Sequence, residues 1–180
     1  MTPITVLFSA EDYLADMESA IQPSCLNCAL RPDRLFCDLP ACALTAFNAI
    51  KSNLVCPRNT VLFREGQGAR GAFVLCEGRA KLSVCSESGK RLTLRIAVPG
   101  ELLGLSAALS GSAHEVTAEL LDNARVAMVK RNDLISFLRE HREACLHVVT
   151  LLSQDLHTAY DRVRSVGLGG SRRPRNARAS

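Results

Sequence analysis

Hydrophobic and polar positions change their spacing twice along the chain. Between residues 39 and 50, apolar side chains recur at intervals of three and four, which predicts an amphipathic helix ending before Cys56-Pro57. From Thr60 to about Val129, short β-rich runs alternate with glycine turns, which favours a β-sandwich or barrel. The helix positions are Leu39, Cys42, Leu44, Phe47 and Ile50. The predicted strands cover residues 61–63, 72–76, 81–85, 92–96, 116–120 and 125–129.

Helical spacing returns in the last third of the chain. Asn132-Asp133 are suited to cap a short helix that runs through Leu138. A longer helix follows, with an apolar seam of period 3.5 that predicts pairing with a partner helix, and so a symmetric homodimer. Val148 and Leu151 give this helix a second apolar flank that we expect to dock on its own β-domain. The seam consists of Cys145, Val149, Leu152, Leu156, Ala159, Val163 and Val166.

The charge distribution separates a neutral body from a basic end. The chain has 22 Lys and Arg against 18 Asp and Glu, a formal net charge of +4. This excess equals the four arginines near the C-terminus, in a segment that composition predicts to be disordered. Arginines on such a tail give only weak, sequence-blind attraction to nucleic acid. They are Arg172, Arg173, Arg175 and Arg178.

Composition narrows the functional classes. A chain of 180 residues with 47% hydrophobic side chains describes one globular domain. It has neither an apolar run long enough to span a bilayer nor a basic leader, so a cytoplasmic location is expected and a membrane partner is not. No hydrolase elbow, phosphate-binding loop or catalytic carboxylate pair is present, so no enzyme is predicted. In a reducing compartment, the 8 cysteines favour metal binding or redox chemistry over disulfides.

Three sequence blocks resemble the Crp/Fnr family of bacterial transcription regulators. They are LFREG at residues 62–66, GAFVLCEGRAKL at residues 71–82, and LRIA with PGELLGLS over residues 94–97 and 99–106. The resemblance implies a mainly β fold with flanking α-helices, a cyclic-nucleotide-binding-type β jelly roll (double-stranded β-helix) followed by a long dimerisation helix. Such a domain senses an effector and passes the signal through the dimer helix.

The resemblance also divides the chain into four parts. Residues 1–38 are the N-terminal arm and cysteine loop, and residues 39–140 are the β-roll domain with flanking short helices. Residues 141–168 are the dimerisation helix, and residues 169–180 are the disordered basic tail. Family members usually carry a winged helix-turn-helix after the long helix. We expect this chain to lack that module, so that it reaches DNA only through a domain missing here.

The family's effector pocket points to one turn. Leu105 stands where cyclic-nucleotide receptors have a glutamate that holds the ribose, and Ser112 stands where they have the arginine that pairs with the phosphate. No Arg or Lys lies between Glu101 and Arg125. Cyclic AMP is therefore not expected as a ligand. In a purely structural interpretation, the glycines and Glu101 only build a tight turn. The family positions are Gly100, Glu101, Leu102, Gly104, Leu105, Ser106 and Ser112.

The N-terminal cysteines suggest a cofactor. Cys25 and Cys28, followed by Cys37, resemble the cluster with which oxygen-sensing Fnr-type members hold a [4Fe-4S] group. The family's fourth ligand position is occupied here by Ala127, so a fourth ligand would have to come from Cys42, Asp38 or another side chain. Zinc is the second choice, because it needs four N or S ligands and only three are obvious in the sequence.

Two alternatives to a cluster-dependent sensor stay open. One is a thiol redox switch or enzyme that uses Cys25 and Cys28. The other is an inert form that dimerises with intact relatives and blocks their DNA binding. The remaining helix and strand cysteines are interpreted as small hydrophobic residues. These are Cys42, Cys76, Cys85 and Cys145.

Overall fold

The computed structural model describes residues 24–29, 34, 37–86 and 89–168, with side chains up to Ser165. Most of the predicted N-terminal arm and all of the predicted tail lie outside the described residues. Within them the chain forms a 3₁₀ turn at Cys25–Asn27, four α-helices and eight strands. The helices are α1 Ala41–Ile50, α2 Leu105–Ser110, α3 Arg131–Glu140 and α4 Arg142–Leu168. The strands are β1 Lys51–Cys56, β2 Val61–Phe63, β3 Gly71–Glu77, β4 Ala80–Cys85, β5 Arg91–Ala97, β6 Leu102–Leu103, β7 Thr117–Leu120 and β8 Ala124–Lys130.

The strands form two four-stranded sheets, ordered β1-β8-β3-β6 and β2-β7-β4-β5. Neighbouring strands within each sheet are antiparallel in every pair. Two antiparallel sheets packed face to face, followed by the long helix α4, confirm the predicted mainly β jelly roll with flanking helices. All six predicted strands are present, and no bound shifts by more than one residue.

Alternation along the first sheet produces two hydrophobic cores. Successive side chains of a strand point to opposite faces, so Val74 and Leu75 of β3 enter different cores. Val74 joins Ala127 of β8 in the core shared with the helices. Leu75 joins Val126 in the core between the two sheets. The sheet that contains β3 and β8 is therefore buried on both faces, one against the second sheet and one against the helices.

The structure corrects the extent of the first helix. Helix α1 ends at Ile50, and residues Lys51–Cys56, which the sequence placed before the β-region, form the edge strand β1. The strand begins with the polar residues Lys51-Ser52-Asn53, so its sequence does not show the apolar pattern that predicts a strand. It exists because its backbone pairs with β8 from Lys51↔Val129 to Cys56↔Ala124. Pairing with a neighbour in space overrides a weak local preference.

Two short elements and one cap also differ from prediction. Helix α2 and strand β6 were not predicted, because six and two residues are too few to show a period. Gly104 and Gly111 flank α2 in left-handed conformations, with φ of 72° and 75°. The N-cap of α3 is Lys130, not the predicted Asn132-Asp133, because β8 leads into this helix without a loop.

Candidate functional site

The cysteine loop is anchored on helix α1. In the 3₁₀ turn, the Ser24 side chain accepts a hydrogen bond from the backbone N–H of Leu26 at 3.2 Å. The backbone N–H of Cys25 donates to Oδ1 of Asn48 on α1 at 3.4 Å. The Cys25 side chain also packs against the core shared with the helices. These contacts place Cys25 and Cys28 beside the β-roll, both half-buried.

Cys37 faces the same region from the other end of the loop. Its backbone N–H donates to the carbonyl of Arg34 at 2.9 Å, and its side chain is half-buried. Burial is the main cause that raises the pKa of the Cys37 thiol to about 12. Cys28, Cys25 and Cys76 add to this rise, whereas Arg34 opposes it. Cys37 thus lies within electrostatic range of three other cysteines.

A buried lysine lies beside this group of thiols. Lys51 is 8% exposed, and its Nζ donates to Sγ of Cys25 at 3.1 Å. Burial raises the pKa of the half-buried Cys76 thiol, and Lys51 is the main influence that lowers it. A cation in this position stabilises thiolates. This role of Lys51 was not predicted, because the residue lies in strand β1, whose polar start has no strand pattern.

The described residues contain no group of three or more Cys, His, Asp or Glu arranged to hold a metal ion. Such a group would bind a single ion such as zinc. The ligands of an iron–sulfur cubane bind four separate iron atoms, so they are spread more widely than those of zinc. Half-buried thiols facing one region, with a lysine cation beside them, are a suitable donor set for the cluster.

Three other cysteines do not fit the hydrophobic role expected of them. Cys42, Cys85 and Cys145 are exposed. Cys42 lies on the solvent side of α1, whose buried residues are Ala43, Leu44 and Phe47. Cys85 ends β4 beside the hairpin turn, and Cys145 lies next to the docked face of α4. Among the predicted alternatives for a fourth ligand, Cys42 and Asp38 are both exposed.

The effector turn lies next to α4. A cavity of about 420 Å³ brings four of the seven predicted pocket residues together: Gly100, Glu101, Leu102 and Leu105. Glu101 already forms an ion pair with Arg95. The cavity is completed by Arg34 from the cysteine loop and by Leu151, Gln154, Asp155 and Thr158 from α4. The cysteine loop, the turn and the long helix therefore meet at one place.

The other predicted pocket residues lie elsewhere. Ser106 is exposed, and its hydroxyl donates to Glu115 at 2.8 Å. Ser112 is exposed in the loop that leads to β7. Gly104 approaches a histidine that sequence reasoning missed, since a Cβ on Gly104 would lie 2.8 Å from Cε1 of His114.

His114 lies in a second cavity, of about 210 Å³, between the two sheets. It is 4% exposed and stacks on Phe63, with ring centroids 3.9 Å apart. Its Nδ1 has no hydrogen-bond partner among the described residues. Burial lowers the pKa of His114 below its usual 6.5, and Glu115 opposes this shift. The histidine is therefore buried as the neutral imidazole.

Acid should destabilise the fold through His114. Its pKa is lower folded than unfolded, so the unfolded chain takes up the proton first. Stability is present in full above the unfolded value of 6.5 and falls as pH decreases towards the folded value, by at most about 1.4 kcal/mol per pH unit. Urea unfolding at pH 7.5 and 5.5 should show a smaller acid loss for His114→Phe than for the wild type. His157 is exposed, so His157→Gln should keep the wild-type loss; equal losses in all three proteins would contradict the prediction.

Helix α4 has one docked face and one exposed apolar face. Ala144 and Val148 are buried in the core shared with the helices, and the half-buried Leu151 and Leu152 pack against it, as predicted for the Val148 and Leu151 flank. Leu152, which the sequence placed in the seam, thus lies partly against its own domain. The exposed large apolar side chains are Leu146, Val149, Leu156, Tyr160 and Val163. Of the other predicted seam positions, Cys145 and Ala159 are exposed, and the side chain of Val166 lies outside the described part.

No described helix is both long and apolar enough to cross a membrane.

Comparison with known proteins identifies the β-roll. Residues 54–141 match the model of the cyclic nucleotide-binding domain. The Anaerobic regulatory protein of Bacillus subtilis is 24% identical over 116 residues, which cover 64% of this chain and 49% of that protein. The chain carries a Crp/Fnr-type sensor domain.

Solved structures agree with this assignment at the level of fold. The Thermus thermophilus catabolite activator protein aligns with a TM-score of 0.68 and 19% identity, covering 74% of this chain and 62% of that one. The sensor domain of the regulator DNR from Pseudomonas aeruginosa aligns with a TM-score of 0.61 and 18% identity, covering 73% and 89%.

The Crp/Fnr family predicted from the three sequence blocks is thereby confirmed. The sensor-domain chain spans about half the length of the curated relatives it matches, at 49% and 58%. Those relatives are the Anaerobic regulatory protein and the Transcriptional activatory protein AadR of Rhodopseudomonas palustris, both of which have the names of regulators. The identity to the solved structures is low, so they show the fold of the Crp/Fnr domain and not its ligand.

Proposed function

We propose that this Crp/Fnr sensor domain responds to oxygen or redox state through a [4Fe-4S] cluster bound by Cys25, Cys28 and Cys37. The observation that carries the proposal is the group of half-buried thiols at the loop–roll junction, with Lys51 donating to Cys25 at 3.1 Å. A cation close by offsets the negative charge of thiolate ligands. When bound, the cluster supplies a redox-active group that oxygen can attack. The name of the Bacillus relative, Anaerobic regulatory protein, is in keeping with this role.

The loop has a direct route to the long helix. Cys37 and Asp38 both donate backbone hydrogen bonds to the carbonyl of Arg34 at 2.9 Å. The Arg34 side chain lies against Gly100 and lines the cavity beside α4. A change in the conformation of the cysteine loop would therefore alter the contacts of Arg34 with the turn and the helix. Signalling would be a shift between two populations of α4 packing.

We propose that the domain works as a homodimer that pairs through α4. The exposed apolar side chains of this helix run along one face, at alternating spacings of three and four once the polar Ser153 is included. An unpartnered apolar stripe of this kind is stabilised by a second copy related by two-fold symmetry. DNA would be read by a module outside this sensor domain. Cyclic AMP would not be its effector, because Leu105 and Ser112 supply neither the glutamate nor the arginine.

Anaerobic reconstitution with iron and sulfide tests the cluster. We expect a brown protein with broad visible absorbance and about four iron atoms per chain. Cys25→Ser should lose most of this iron. Cys145→Ser, which removes an exposed cysteine on α4, should bind as much iron as the wild type. A wild-type protein that stays colourless and iron-free would end the proposal.

A thiol switch is the second candidate, and the Lys51 contact also favours it. Nζ of Lys51 lies 3.1 Å from Sγ of Cys25, the sulfur that would attack an oxidant. With hydrogen peroxide, Cys25 and Cys28 would lose two protons and two electrons to form a disulfide, and peroxide would become two molecules of water. Mass spectrometry of an iron-free protein would then show a loss of 2 Da, about the mass of two hydrogens.

A further inference from the structure

The three cysteines of the loop leave a cubane one ligand short. The family position for the fourth is Ala127, which has no donor atom, and Cys42 and Asp38 are exposed. A fourth thiolate would therefore come from the β-roll, on the side of the core against which Cys25 packs. The adjacent strand β3 carries a half-buried cysteine, Cys76, that the sequence interpretation treated as a small hydrophobic residue.

Packing places Cys76 on the side of the sheet that faces the helices and Cys25. Val74 of β3 pairs directly with Ala127 of β8. Cys76 lies at a β-bulge, where the register between β3 and β8 shifts after Leu75, so the packing of its side chain, and not alternation along the strand, shows which face it lies on. Val74 and Ala127 both belong to the core shared with the helices, and Cys76 and Cys25 both pack against that core. Cys76 thus packs against the same core as Val74, the residue that pairs with the family's ligand position on the neighbouring strand.

Electrostatic influences connect Cys76 with the loop from both directions. Cys25 and Cys28 raise the pKa of Cys76, and Cys76 raises the pKa of Cys37. Lys51 interacts with a cysteine of the loop and with a cysteine of the β-roll, since it donates a hydrogen bond to Cys25 and lowers the pKa of Cys76. Within the described part of the chain, the Cys76 thiol makes a weak hydrogen bond, 3.7 Å to the carbonyl of Val74.

We propose that Cys76 is the fourth thiolate ligand, so that the site joins Cys25, Cys28 and Cys37 of the loop to strand β3, with Lys51 as the neighbouring cation. This inference rests on the cluster proposed above and names the residue that completes it. Each thiol would release its proton to solvent on binding iron. A ligand set of this kind ties the loop to the roll, so loss of the cluster would free the loop from β3.

The test is anaerobic reconstitution of the whole chain with iron and sulfide, with iron and sulfide counted per chain. The wild type and Cys85→Ser, which changes an exposed cysteine on β4, should both bind about four iron atoms. Cys76→Ser should retain less than about a tenth of that iron, or lose it at least about tenfold faster in air, as expected when one of four ligands is removed. Circular dichroism checks that the variant is folded. If it is not, Cys76→Ala replaces it.

A rescue variant sharpens the result. Adding Ala127→Cys to Cys76→Ser returns a thiol to the same face on the neighbouring strand, and recovery of the iron would support a thiolate requirement at this site. If the wild type binds the cluster and folded Cys76→Ser binds it equally well and for as long, the assignment of Cys76 is overturned while the proposed function stands. If the wild type binds no cluster, both fail.

Discussion

Replacing Val163 with aspartate is expected to make the protein monomeric. Val163 is 69% exposed and lies on the same apolar face of α4 as Leu156 and Tyr160. In a two-fold symmetric helix pair, both copies of this residue lie close to the shared interface, so one substitution buries two unpaired carboxylates. Burying an unpaired charge costs several kcal/mol. The dimer should therefore weaken by at least about 100-fold, which corresponds to about 3 kcal/mol.

Sedimentation velocity over a range of protein concentrations measures this change. Ser165→Asp is the matched control, because two residues along an α-helix turn the side chain by about 200°, to the opposite side. The Ser165 hydroxyl donates to the carbonyl of Arg162 within the same helix at 2.8 Å. The control should dimerise like the wild type. Unchanged association of Val163→Asp would show that α4 does not form the interface.

Gly71→Ala is expected to lower the free energy of unfolding by about 3 kcal/mol, or to prevent folding. Gly71 begins β3, and a Cβ at this position would lie 2.1 Å from the carbonyl oxygen of Val129 and 3.1 Å from Cα of Lys130. Both atoms belong to the backbone of β8, so no rotamer change relieves the clash. The two strands would have to separate, and their pairing is central to the first sheet.

Urea denaturation followed by circular dichroism checks the prediction. Gly68→Ala is the control, because nothing lies within 4 Å of a Cβ at that position and the backbone is not left-handed. Its unfolding free energy should stay within about 0.5 kcal/mol of the wild type. Equal urea midpoints for the two variants would mean that β3 and β8 are less tightly apposed than described.

The sequence predicted the elements that have a strong period of their own. A β-rich run followed by a glycine turn predicted β3, and three-and-four spacing predicted α4. Strand β1 was missed because its identity depends on pairing with β8, which no local pattern records. For the same reason, helix α1 was extended past Ile50.

Only part of the candidate site was predicted from the sequence, and the rest was missed for a related reason. Motif spacing identified the cysteine loop and the turn at Gly100, since each is contiguous in sequence. Lys51, Cys76 and His114 contribute through burial and through neighbours that are distant along the chain. A lone cysteine in a strand and a lone histidine in a loop give no local signal, so only the three-dimensional arrangement reveals what they contact.

Helix α1 ends at Ile50 and strand β1 begins at Lys51, so no loop residue separates them. The helix holds Cys25 through Asn48 near its C-terminal end, and the lysine at the junction contacts the Cys25 sulfur. A helix and a strand joined without a loop move together. A movement of the cysteine loop that rotates α1 would therefore also rotate β1, the edge strand of the β-roll, because no flexible segment separates the two elements.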